Sequence, residues 1–353
     1  MAMQTKIGAL TAATATRRAT LAAVLAALAG VRAAAAQDAT PDAACPPASD
    51  ADLERIARAW YEDGYNSGDP SRLRDFLADD VADDGPNLAD TEGPEALMAS
   101  MQAVLDGFPD VHYTVDRVLT DAPYAVVLWS ATGTHDGEFL GVPASGNRAE
   151  WSGIRVVRIE CGRIAATWAE LDQVGRLQQI GGSDATPVPA AGNELAPASP
   201  IPAAPGATPS ACPPSGRSLV EAAVRDWWEF GWNGGNPAGL NPILSDGLIH
   251  HWATGPDTVG FVPLATTING WRRAMPDLEV THGDIIVDGD WAAATWTASG
   301  TDTGGFSGGA GTGNRATWTG INVFLLSCGL ITEVWSEMDV LSLRAQLSAT
   351  AAP

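Results

Sequence analysis

Lysine is almost missing from this sequence. Lys6 is the only one, and every other cation is arginine. Schiff-base chemistry, pyridoxal-type attachment and a Walker phosphate loop all require lysine, so a chain trimmed past position 6 is barred from them. Basic charge is scarce altogether: 20 Lys+Arg face 42 Asp+Glu, a formal net charge of −22. Nucleic-acid partners need a basic footprint, and an anionic membrane surface repels such a chain, so neither is expected. No apolar run is long enough to span a bilayer. Cysteine is limited to four residues without a C-x-x-C spacing, which argues against a four-cysteine metal site. What remains is ample: 353 residues, 45 % hydrophobic and 18 % charged, enough for two ordinary domains with packed cores.

Residues 1–36 contain no acid. Lys6, Arg17 and Arg18 precede an apolar run at 21–31, and Ala34-Ala35-Ala36 offers a small-residue cleavage site. This is the layout of a signal peptide over 1–36. The Arg17-Arg18 pair fits a twin-arginine signal or an ordinary secretory one. The expectation is an exported protein, periplasmic, cell-surface or extracellular, with no membrane insertion after cleavage.

The rest of the chain repeats itself with a constant offset of 167 residues. Cys45-Pro46-Pro47 recurs as Cys212-Pro213-Pro214, Trp60 as Trp227, and Pro109-Asp110 as Pro276-Asp277. Trp129, Trp151 and Trp168 recur as Trp296, Trp318 and Trp335. Two copies at so long a period mean a duplicated domain rather than a solenoid. The expected domains are 45–182 and 212–349, joined by a Pro/Ala-rich linker at 183–211. Cys45 and Cys161 are 116 residues apart, and so are Cys212 and Cys328. In an exported chain this suggests one disulfide within each copy, with cross-pairing between copies as the alternative.

Within the first copy, helical spacing at 52–66, 69–78 and 95–105 precedes strand-like runs at 111–119, 124–134, 148–159 and 163–171. Helices first and strands after predict an α+β class. The expected architecture is two tandem cone-shaped domains, each with N-terminal helices packed in a curved antiparallel sheet.

Several motifs carry a family resemblance. They are Phe108-Pro109-Asp110, the run from Gly133-Thr134-His135-Asp136-Gly137 to Gly141-Val142-Pro143, Trp151-Ser152-Gly153, and Leu177-Gln178-Gln179-Ile180-Gly181. Together they resemble the SnoaL-type polyketide cyclases, also called ester cyclases, over 53–182 and more weakly over 220–349. The resemblance implies a nuclear-transport-factor-2-like cone with a hydrophobic pocket. It also implies an aldol-type ring closure of a carbonyl compound that needs no cofactor and no metal. Such chemistry requires a carboxylate to remove a proton next to a carbonyl. The resemblance puts that acid directly after Trp168, where this chain has Ala169, and Ser336 in the second copy. A register shift of three residues would instead make Asp172 and Asp339 the matching acids.

The remaining candidates are few. His135, whose counterpart is Asp302, and Arg155, whose counterpart is Asn322, are the polar groups proposed to assist catalysis. Strand alternation puts Trp129, Trp151, Ala169 and Leu171 on the pocket wall, with Trp296, Trp318, Asn322, Ser336 and Met338 in the second copy. Nine of the 13 tryptophans fall in the second copy, and the extra ones, Trp228, Trp232, Trp252 and Trp271, suit a flat or greasy ligand. His251 falls where relatives often have a histidine and completes the expected lining. Three functions are open at this point. The chain is a cofactor-free cyclase acting on a hydrophobic small molecule, a non-catalytic binder of such a molecule, or a module whose two copies pack as an intramolecular dimer.

Overall fold

The computed structural model describes residues 45–85, 91–182, 212–252, 255–306 and 310–348. The expected signal peptide (1–36) and linker (183–211) lie outside the described residues.

The first copy opens on helix α1 (Asp50–Ala59). Ser49 caps it by accepting the Asp52 N–H at 3.2 Å, and Leu53, Ile56 and Ala57 form its buried stripe. The chain continues as a π-helical turn, Trp60–Tyr65, and a 3₁₀ turn, Pro70–Phe76. Then come β1 (Leu77–Asp84), β2 (Thr91–Glu92), α2 (Pro94–Gly107), β3 (His112–Asp121), β4 (Tyr124–Thr134), β5 (Arg148–Glu160), β6 (Arg163–Leu171) and α3 (Gln173–Gln179).

The second copy repeats this order. It runs through α4 (Arg217–Asp226), a π-helical turn Trp227–Asn233, β7 (Leu244–Trp252), β8 (Thr258–Val259) and α5 (Phe261–Ala274). It continues with β9 (Glu279–His282), β10 (Ile286–Asp288), β11 (Trp291–Thr301), β12 (Arg315–Ser327), β13 (Leu330–Met338) and α6 (Val340–Ser348). Among the described residues no helix is long and apolar enough to cross a membrane.

The class is α+β, as the sequence predicts, but the sheets are mixed rather than antiparallel. The first has the order β2-β1-β6-β5-β4-β3 and the second β10-β11-β12-β13-β7-β8, with β9 pairing β11. β1 runs parallel to β6, and β7 parallel to β13. The strand behind this correction is β1, where the sequence suggested the tail of a second helix ending at 78. Its acidic run, Asp79-Asp80 and Asp83-Asp84, hides the apolar positions Leu77 and Val81 that bury it against the sheet. β7 shows the same element without the disguise, as Leu244, Leu248 and His250 are all buried in it.

Alternation gives every long strand two working faces. The inner face closes over the helices. The outer face of one copy packs on that of the other: Leu119, Val126, Leu128, Ile154 and Val156 share one apolar cluster with Ile286, Ala293, Ile321, Val323 and Trp335. Four of these first-copy residues, Leu119, Val126, Ile154 and Val156, have their 167-residue counterparts in the same cluster, and Trp335 there answers Trp168 packed against it, so the contact is pseudo-twofold. Hydrogen bonds obey the same symmetry. Asp288 accepts the Thr120 N–H at 3.1 Å, and Asp121 accepts the Val287 N–H at 2.9 Å. Thr319 donates to the Glu170 carboxyl at 2.6 Å, and Ser152 donates to the Glu337 carboxyl at 3.3 Å.

Cys212 is bonded to Cys328, and Cys45 and Cys161 are disulfide-bonded as well, leaving no free cysteine. Such bonds fit an oxidising, extracytoplasmic location.

Candidate functional site

The second copy holds an open pocket whose empty space, mouth and adjoining solvent included, is about 480 Å³. Its wall is assembled from the π-helical turn, one helix and five strands. The π-helical turn supplies Trp228 and Trp232, α5 supplies Trp271, and β7 supplies Trp252. Leu278 and Val280 come from the β9 region, Trp296 and Ala298 from β11, Trp318 and Asn322 from β12, and Ser336 and Met338 from β13. No lining residue is charged. The indoles brace one another, Trp228 against Trp296 at 5.8 Å and Trp271 stacked on Trp318 at 5.6 Å between centroids. The indole N–H groups of Trp228, Trp232 and Trp318 are buried without a hydrogen-bond partner among the described residues.

A polar chain runs from this wall to His250 behind it. Trp296 donates its indole N–H to Asn322 Oδ1 at 2.6 Å, Asn322 Nδ2 donates to Ser336 Oγ at 2.9 Å, and Ser336 Oγ lies 2.6 Å from His250 Nε2. His250 is 1 % exposed and stacks on Trp252 with centroids 3.6 Å apart. Burial, and secondarily the neighbouring His251, hold its imidazole well below the usual histidine range, so it is neutral.

Gly320 makes room for the Trp296 indole of the wall, as Gly153 does for Trp129 in the first copy. A Cβ on Gly320 would collide with the Trp296 indole and lie 2.7 Å from the Glu337 carbonyl oxygen. Gly320→Ala is therefore expected to cost about 1–3 kcal/mol by overpacking. It should also shift the tryptophan emission spectrum; urea denaturation and fluorescence spectra measure both effects.

The same positions in the first copy hold a different interior. Tyr61, Tyr65, Tyr113, Trp129 and Trp151 stand where the second copy has Trp228, Trp232, Val280, Trp296 and Trp318. Tyr113 packs on Tyr65 at 4.4 Å, on Trp129 at 5.2 Å and edge-on to Trp151 at 6.2 Å. Burial pushes the Tyr65 hydroxyl up to about 12 and raises Tyr61 and Tyr113 as well, so all three stay protonated donors. In place of the Asn322–Ser336–His250 chain stand Arg155, Ala169 and Asp83. Arg155 Nη1 donates to Asp83 Oδ1 at 2.9 Å and to Thr167 Oγ1 at 2.5 Å, and its guanidinium lies 4.0 Å from the Trp60 ring centre. Burial alone would lower the Arg155 pKa, but Asp83, Tyr61 and Tyr65 outweigh it and the net shift is upward.

The fold places the sequence candidates unequally. Trp228, Trp232, Trp252, Trp296, Trp318, Asn322, Ser336 and Met338 all meet on one cavity wall. Trp129, Trp151, Ala169 and Leu171 are buried in the first copy, with Ala169 paired in register with Arg155. His251 is a correction. It stacks on Trp335 at 5.0 Å, and its ring nitrogens lie 2.9 Å from Asp257 and 3.5 Å from Glu333, on the face away from the cavity. The strand period of two is the reason: His250 and Trp252 point inward, so His251 points out. His135 is also not in a position to touch a ligand. It is 0 % exposed, and its Nδ1 accepts the Ser145 N–H at 3.3 Å, tying the 135–147 loop together. Asp302 performs the same task by accepting the N–H groups of Gly305, Phe306 and Thr312. Arg155 is inside the fold but held by Asp83 rather than free for a substrate. Asp172 and Asp339 cap α3 and α6 by accepting the N–H groups of Gly175 and Ser342 at 2.7 and 2.8 Å.

Two inward ionisable groups, Asp83 and His250, carry no site role in the sequence reading, which favours a surface or hydrogen-bonded core histidine for the His250-His251 pair. The available signal was the alternation Leu248, His250, Trp252, which carries over to Asp83 through the constant offset.

Comparison with known proteins gives the same picture from outside. The family model for SnoaL-like polyketide cyclases matches twice, over 55–180 and 222–347. Among solved structures, TsrD from Streptomyces laurentii is 29% identical over 38% of this chain and 98% of its own, with a TM-score of 0.35. IdmH from Streptomyces antibioticus is also 29% identical, over 36% of this chain and 98% of its own, with a TM-score of 0.33. No curated protein matches the chain. With both copies matched along most of their length, the chain belongs to the SnoaL-like polyketide cyclase family as a tandem member.

Proposed function

We propose that this is an exported tandem member of the family whose second cavity binds a flat, hydrophobic carbonyl compound. The supporting observation is the wall itself: six indoles, no charge, and only Asn322 and Ser336 as polar lining side chains. Indole surfaces suit a planar apolar body, and unpaired indole N–H groups suit carbonyl oxygens. In this reading 1–36 directs export, and 183–211 links a domain at 45–182 to one at 212–349. The enzymatic form of the reading is the family's cofactor-free, aldol-type ring closure. A second reading, a non-catalytic binder, is favoured by one observation: no carboxylate lines the cavity, and Ala169 and Ser336 occupy the position the family resemblance reserves for the acid.

Titration with xanthone, a planar aromatic ketone, tests the shared claim. Saturable quenching of tryptophan fluorescence is expected, and Trp228→Ala should weaken it about tenfold or more, since ~1.4 kcal/mol suffices. Trp151→Phe in the first copy should leave the affinity unchanged. Unsaturable quenching, or equal loss from both variants, would overturn the assignment.

A further inference from the structure

The chain Trp296–Asn322–Ser336–His250 has a direction. An indole can only donate, so Asn322 presents its carbonyl oxygen to Trp296 and its NH₂ to Ser336. Ser336 Oγ therefore already accepts one hydrogen bond. The 2.6 Å contact leaves its own proton next to His250 Nε2. A serine hydroxyl beside a neutral imidazole, at the wall of an apolar cavity, is the arrangement that activates a nucleophile. The imidazole is locked in place by its stack on Trp252, 3.6 Å away. Donors for a developing oxyanion are at hand in the unpaired indole N–H groups of Trp228, Trp232 and Trp318, which line the same space. The first copy has Ala169 and Asp83 at the matching positions, so the pair belongs to the second copy alone.

We propose that Ser336 and His250 form a nucleophile–base pair for acyl transfer, and that hydrophobic esters acylate the second cavity. This rests on that cavity admitting an apolar carbonyl compound. Ser336 Oγ attacks the ester carbonyl carbon while its proton passes to His250 Nε2. The new O–C bond forms, the ester C–O bond breaks, and the departing alkoxide takes the proton from His250. Water then attacks the acyl-serine; His250 accepts its proton and returns it to Ser336 as the acid leaves. Ester and water become acid and alcohol, with no redox change.

The test is incubation of the full-length protein with 4-nitrophenyl hexanoate, followed by acid quench, intact-mass measurement and peptide mapping, beside the xanthone titration. The expected result is one hexanoyl group on Ser336 and a burst of nitrophenol. Ser336→Ala should abolish both; alanine already occupies the matching position in the first copy, so the variant should fold, which an unchanged urea-denaturation midpoint checks. His250→Gln should slow acylation at least a hundredfold. Saturable xanthone binding without acylation, or acylation that survives Ser336→Ala, overturns the pair and leaves the binding reading intact. If xanthone does not bind either, both fall together.

Discussion

Replacing Asp83 with alanine is expected to destabilise the fold by about 3–5 kcal/mol, because it strands a buried cation. Arg155 and Asp83 have side chains only 8% and 10% exposed, and the guanidinium lies 4.0 Å from the Trp60 ring centre. The tyrosines around it are neutral and cannot replace the carboxylate. Asp83→Ala combined with Arg155→Met should recover most of the loss, since a well-packed apolar pair of similar volume is tolerated where half of an ion pair is not. Urea denaturation of wild type, both single variants and the double variant measures the coupling. Additive losses would show that the pair does not act as a unit.

Alkali should loosen the contact between the two copies. Glu170 and Glu337 lie in that contact, each 5% exposed. Burial raises both carboxyls well above their usual range; Asp339, Asp84 and Glu337 add to the effect at Glu170, and Asp172 adds to it at Glu337. The hydroxyls of Thr319 and Ser152 pull the other way but do not win. A raised folded-state pKa means the folded protein holds protons that the unfolded chain releases from about pH 4.5 upward. The stabilisation is complete below that pH and is lost as pH climbs to the folded-state values. Each unit of elevation corresponds to about 1.4 kcal/mol. Thermal melts from pH 4.5 to 9 should therefore show a falling midpoint, and Glu170→Gln with Glu337→Gln should flatten the profile and raise stability at pH 8. An unchanged slope in the double variant would refute this account.

The parts of the fold visible in the sequence were those with strong periodicity. β3 to β6 and their repeats are strand-length runs rich in apolar and β-branched residues, broken only between β9 and β10, and α1 carries a clean stripe. β1 was not legible because four aspartates dominate its eight residues, and its burial depends on pairing with β6, a strand almost ninety positions away. The second cavity was legible because tryptophan is too large to be scattered without consequence. The polar chain behind it was not. Its geometry depends on the β12/β13 register Asn322↔Ser336 and the parallel β7/β13 pairing, neither of which is written locally. His135 illustrates the opposite error: a motif position drew attention, while the structure uses the side chain to close a loop, as Asp302 does with a carboxylate.

The pseudo-twofold contact has an evolutionary corollary. In a homodimer every substitution appears twice, so both hollows must change together. One polypeptide that supplies both halves escapes that constraint. One interior can settle into an ion pair wrapped in tyrosines while the other acquires a tryptophan chamber, and the shared seam between them remains nearly symmetric. Its assembly is also unimolecular, so dilution does not separate the partners.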